Sequence, residues 1–126
     1  MPSIAIVDDE EGIRKALGRL LRASGLEAES YANGQEFLDA AVARRPDCVV
    51  LDLHMPGMSG LQVLRKLKAA GQLLSVVVIT AHDEPETREQ CLEAGACAYL
   101  RKPLEDRLLL NAISAAMRSH SPGVRR

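Results

Sequence analysis

Two stretches, CVVLDL at 48–53 and SVVVIT at 75–80, constrain the fold of this chain more than anything else in it. Both are short, apolar and rich in β-branched residues. They are too short for buried helices and lack the polar alternation of a strand with one wet face. Strands buried on both faces belong to a parallel sheet covered by helices on two sides. SIAIV at 3–7 has the same character. LEAESY at 26–31 is more polar and suits a place nearer an edge, and ACAYL at 96–100 completes a set of five.

Helical patterns separate these runs. EEGIRKALGRLLRAS carries Ile13, Leu17, Leu20 and Leu21 on one face, with Gly25 as its stop. NGQEFLDAAVARR opens with Asn33 and Glu36 at capping-box spacing, and Phe37, Leu38, Ala41 and Val42 form its apolar side. SGLQVLRKLKAAG is bounded by Ser59 and Gly71, and PETREQCLEAG by Pro85 and Gly95. LEDRLLLNAISAAMRS presents Leu108, Leu109, Ala112, Ile113 and Ala116 inward. Five βα units follow, in one domain over residues 1–120. The last residues, 121–126, lack a periodic pattern and read as a frayed tail or the start of a linker.

Composition agrees with one core and excludes several function classes. Of 126 residues, 47% are hydrophobic and 26% charged, a balance that can build one domain. The formal charge is −1, so no basic footprint for nucleic acid is present. Cys48, Cys91 and Cys97 form no CxxC and no zinc spacing, and read as reduced thiols of a cytoplasmic protein. No signal peptide is expected from the N-terminal pattern, and no run of membrane-spanning length occurs.

Sites in an open parallel α/β sheet form beyond the carboxyl ends of the strands. Asp8, Asp9 and Glu10 follow the first strand, Asp52 ends the third, Thr80 ends the fourth, and Lys102–Pro103 follow the fifth. Clustered carboxylates repel unless a cation lies among them, and a hard cation such as Mg²⁺ suits such oxygens. Lys102 and Thr80 add an ammonium and a hydroxyl for an anion. Together they suggest phosphoryl transfer to Asp52. Taken singly, each residue has an ordinary reading: Asp8 and Asp9 as helix caps, Asp52 as an Asx turn, Thr80 as a strand end, Lys102 as a solvated lysine, Tyr99 as a half-buried core residue.

IVDDEEG, VVLDLHMPGMSG, VVVITAH and GACAYLRKP, in that order and each at a strand end, resemble the receiver domain of bacterial response regulators. The resemblance spans residues 3–119 and is greatest to receivers of the FixJ/NarL type, which drive helix-turn-helix output domains. It implies a flavodoxin-like fold with strand order 2-1-3-4-5. It implies that Asp52 accepts a phosphoryl group from a histidine kinase. Mg²⁺, with Mn²⁺ as a substitute, would be held by Asp9, Asp52 and the His54 carbonyl, and by Asp8 through water. Lys102 would contact the phosphoryl oxygens, Thr80 and Tyr99 would switch, and small Ala81 would admit the phosphoryl group. The Lys102–Pro103 bond is expected to be cis. His54 and His82 border the path of the attacking water and are expected to modulate phosphate lifetime, although the residues alone read equally as two exposed histidines. The implied partners are the kinase and an output domain or downstream protein on the helix 4–strand 5–helix 5 face, with a phosphorylation-dependent homodimer through that face. The chain reads either as a stand-alone receiver or as a fragment of a longer regulator.

Three alternatives compete. A phosphatase with an aspartyl-phosphate intermediate usually carries a second Asp where His54 stands. A flavin or nucleotide binder would need a Gly-rich phosphate loop, and neither GxGxxG nor GxxxxGK[ST] occurs. A receiver-like interaction module that is never phosphorylated is opposed only by the intact residue set.

Overall fold

A computed structural model describes residues 1–119. The expectation for 121–126 lies outside them. Five strands and five helices alternate: β1 (Ser3–Val7), α1 (Glu11–Ala23), β2 (Glu27–Tyr31), α2 (Gly34–Ala43), β3 (Cys48–Asp52), α3 (Gly60–Ala69), β4 (Val76–Thr80), α4 (Pro85–Glu93), β5 (Ala98–Arg101) and α5 (Asp106–Ser119). All strand pairs are parallel, in the order β2-β1-β3-β4-β5. The polar run 26–31 is indeed an edge strand.

Alternate side chains of each central strand face opposite layers. Ile4, Ile6, Cys48, Val50, Val77 and Ile79 pack with Leu17 and Leu21 of α1 and with Leu109, Ile113 and Ala116 of α5. Ala5, Val7, Val49, Leu51, Val76 and Val78 pack with α2, α3 and Cys91 of α4. This double burial is why β3 and β4 carry no polar alternation.

Three helices end by one device. After α1, α3 and α4, Gly25, Gly71 and Gly95 take positive φ, and the next amide bonds back to Leu21, Leu67 and Cys91 respectively. This Schellman closure favours glycine, which has no Cβ to clash at positive φ. It turns the chain sharply into the next strand.

Some sequence expectations are corrected. Val42 is 78% exposed and Leu108 is 55% exposed, so neither faces the core. Each neighbours a residue that does, Ala41 and Leu109, and the buried stripe is one position narrower than read. The Glu36 carboxylate accepts from Ala32 N rather than from Asn33 N, so α2 has the Asn33 cap without the reciprocal capping-box bond. The full capping box occurs instead at α3, between Ser59 and Gln62. β5 begins at Ala98, two residues later than read, and the Lys102–Pro103 bond is cis as expected.

Candidate functional site

The carboxyl ends of β1, β3 and β4 and the loop after β5 meet at one edge of the sheet. Asp8 and Asp52 are 0% and 3% exposed, while Asp9 is open to solvent. One carboxylate oxygen from each of the three lies within 4.8 Å of the others. Lys102 Nζ sits between two of them, 3.1 Å from Asp8 Oδ2 and 3.2 Å from Asp52 Oδ1, with Glu10 Oε1 at 3.7 Å.

The charges explain the electrostatics. Burial pushes the Asp52 carboxyl up to about 6, and the nearby Asp8 charge adds to this, against the pull of Lys102. Burial draws Lys102 down, yet its bonds and attraction to Asp8 and Asp52 prevail and leave it above the usual lysine value. The site therefore holds more negative charge than one ammonium neutralises.

That donor set fits a hard divalent cation. Around an octahedral Mg²⁺ with bonds of about 2.0–2.1 Å, adjacent oxygens lie about 2.9 Å apart and opposite ones about 4.2 Å. The three carboxylate oxygens lie close enough together to share one such ion, directly or through water. Asp8 is the most committed of them: Oδ1 accepts from Glu10 N at 2.9 Å and Oδ2 faces Lys102. Asp9 and Asp52 have more freedom to ligate directly.

Thr80 is fully buried, and its hydroxyl is turned to its own loop. It donates to His82 O and accepts from His82 N, each at 3.0 Å. Tyr99 on β5 is half-buried, and Arg88 of α4 stands 5.9 Å from its ring centroid. Its hydroxyl is buried without a hydrogen-bond partner of normal geometry, although the Glu84 backbone lies near it. Burial pushes the Tyr99 phenol up. Ala81, His54 and His82 are exposed. The two imidazoles meet edge to face with centroids 5.1 Å apart.

Two further residues shape the site and were not singled out in the sequence. Arg14 of α1 donates to the Asp8 carbonyl at 2.7 Å, which fixes the turn carrying both aspartates. A Cβ on Gly60 would lie 2.5 Å from the Asp52 carbonyl oxygen and 2.9 Å from Leu53 Cα. Only a residue without Cβ lets α3 start so close behind the aspartate. Neither role has a spacing signal, because each depends on how the loop after the strand turns into the next helix.

The pattern of the response regulator receiver domain matches residues 4–114. The chain belongs to that family. This receiver is 34% identical over 114 residues to the transcriptional regulatory protein FixJ of Azorhizobium caulinodans, covering 90% of the chain and 54% of that protein. It is 40% identical over 119 residues to the response regulator MprA of Mycolicibacterium vanbaalenii, covering 94% of the chain and 52% of that protein. The chain thus spans about half the length of these curated relatives. Among solved structures, a response regulator receiver protein from Burkholderia phymatum is 46% identical with a TM-score of 0.81, over 93% of this chain and 95% of that one. The structure titled FixJ-N gives 34% identity and a TM-score of 0.88, over 95% of each chain. Receivers are the signalling phosphoacceptors of two-component systems, with an aspartyl phosphate and Mg²⁺ as general family features.

Proposed function

We infer that Asp52 is the phosphoacceptor of this receiver and that the acidic pocket around it drives a Mg²⁺-dependent switch. The observation that carries this reading is the burial of Asp52 beside Asp8 with one lysine between them. A buried pair of carboxylates bridged by a single ammonium costs free energy unless the site has use for a cation and an anion.

In the proposed mechanism an Asp52 carboxylate oxygen attacks phosphorus in line. The new O–P bond forms as the P–N bond to the kinase imidazole breaks. Asp9, Asp52 and the His54 carbonyl would hold the metal directly and Asp8 through water, in keeping with Asp8 being already bonded to Glu10 N and Lys102. Bound Mg²⁺, or Mn²⁺ in its place, would supply charge neutralisation for the transferring group. Lys102 leaves its carboxylate partners to meet the phosphoryl oxygens. Thr80 gives up its bonds to His82, each worth about 1 kcal/mol net, for a stronger charge-assisted bond to the phosphate. Tyr99 gives up no hydrogen bond of normal geometry when its ring moves. Ala81 leaves the entrance open, and His54 and His82 flank it, where they would set phosphate lifetime.

The output side of the reading is α4, β5 and α5. α4 has only Cys91 fully buried, so little packing resists its displacement. A histidine kinase donates the phosphoryl group, and an output domain, a downstream protein or a second copy of the receiver reads the α4–β5–α5 face. Transcription control in the cytoplasm is the role proposed by similarity to FixJ.

Borohydride reduction of the phosphorylated protein tests the assignment. It converts an aspartyl phosphate to homoserine, and peptide mass should place that product at position 52. The product at any other position would overturn the role of Asp52.

A further inference from the structure

α4 carries an acidic stripe that nothing in the same molecule offsets. Glu86, Glu89 and Glu93 recur at helical spacing and are all exposed. The one basic residue of the helix, Arg88, stands against the Tyr99 ring instead. None of the three glutamates forms an ion pair among the described residues. Such a stripe disfavours the helix that bears it. Glu89 and Glu93 repel at i,i+4, and Glu93 adds negative charge at a C-terminus whose last turn has no basic residue.

α1 carries the opposite stripe. Lys15, Arg19 and Arg22 are exposed along it, and Glu11, the one acid of the helix, pairs with Lys15 at 3.4 Å. Arg19 and Arg22 have no carboxylate partner among the described residues. An open groove of about 440 Å³ borders this helix, lined by Arg14, Lys15, Arg19 and Arg22 against a single acid, Glu11, with Ser30 of β2 at its side. Arg22 folds back over Gly18, where a Cβ would lie 3.1 Å from its guanidinium. Glycine weakens the middle of a helix relative to alanine, and here it makes room for a cation of the groove.

The two stripes match in spacing. Along α1 the cations stand four and then three residues apart, and along α4 read backwards the carboxylates do the same. Rises of about 6 and 4.5 Å therefore coincide when the helices lie antiparallel. Glu93 then falls opposite Lys15, Glu89 opposite Arg19 and Glu86 opposite Arg22. Antiparallel helix dipoles favour the same direction. Leu92, 45% exposed beside the acidic stripe, adds apolar area to the contact. One molecule cannot make this contact with itself, because α1 packs on one layer of the sheet and α4 on the other.

We propose that α4 of one copy docks on the basic α1 groove of a second copy. The contact is head to tail, so a pair still offers one free α1 and one free α4, and association extends with concentration. It is weak and salt-sensitive, as exposed ion pairs are. It brings a second copy onto the helix assigned to output, yet it stands on the exposed charges and not on the reading of Asp52.

Sedimentation of the full chain, up to near-millimolar concentration, tests the contact. At low salt the mean mass should rise with concentration. In about 0.5 M salt, where the Debye length is about 4 Å, it should fall back to the monomer. K15E/R19E/R22E and E86K/E89K/E93K should each weaken association about tenfold or more. An equal mixture of the two should associate again, because each reversed stripe meets its opposite on the other variant. The single reversals R19E and E89R, alone and mixed, read the same pairing where a triple variant fails to fold. Wild type that stays monomeric at low salt, association indifferent to salt, or a mixture no stronger than either variant alone would overturn the contact. Asp52→Asn should associate as wild type does, so failure of the phosphoacceptor reading would leave this result standing.

Discussion

Asp52 works under an electrostatic load, and that load is measurable without any phosphate. Its pKa near 6 exceeds the ordinary carboxylate value, so the native state holds its proton to higher pH than the unfolded chain does. The sign follows from linkage: this residue's contribution becomes less favourable as pH rises from about 4 to 6 and is constant above that range. In metal-free protein at pH 7, Asp52→Asn should therefore stabilise the fold by about 1–3 kcal/mol in urea unfolding, with the gain vanishing near pH 4. Mg²⁺ should stabilise wild type more than the variant. A variant less stable than wild type at pH 7 without metal would contradict this electrostatic picture. Lys102→Met acts in the opposite sense. It leaves Asp8 and Asp52 buried without their cation and should cost about 3 kcal/mol or more at pH 7. Asp52 was legible in the sequence because a charge ends an apolar run there. Arg14 was not, because its bond to the Asp8 carbonyl depends on how α1 leaves the strand.

Elements place the site, and their ends matter more than their middles. β3 delivers Asp52, and α3 begins directly behind it at Gly60, against the Asp52 carbonyl. Gly60→Ala should force the start of α3 outward, lower stability by about 1–3 kcal/mol and slow phosphorylation of Asp52, read by unfolding and labelling rates together. Unchanged stability would show that the close approach is tolerated. α4 and α5 invite a second comparison. Leu109, Ile113 and Ala116 bury α5, while Cys91 alone is buried on α4. Amide hydrogen exchange should therefore run faster in α4 than in α5, and equal protection would remove the physical basis for α4 as the mobile output element. The strands were legible from β-branched runs and the helix stops from glycine. Val42 and Leu108 were misread because an apolar residue at the edge of a helical stripe can face either way, and only packing decides.

At the scale of the whole molecule, five βα units bring chemistry from four chain segments to one sheet edge, with the two apolar layers behind it. The order 2-1-3-4-5 sets β1 next to β3, so Asp8 and Asp52 meet although 44 residues separate them. Periodicity told that the sheet is parallel and doubly covered, and the family resemblance supplied its order. No helix among the described residues is long and apolar enough to cross a membrane. The central claim is that this edge is a metal-dependent phosphoacceptor site built on Asp52. Its most direct test is the intact mass of wild type and Asp52→Asn after incubation with acetyl phosphate, with and without Mg²⁺. One added phosphoryl group, in wild type with Mg²⁺ alone, is the expected result. No gain in wild type, or an equal gain in the variant, would contradict the claim.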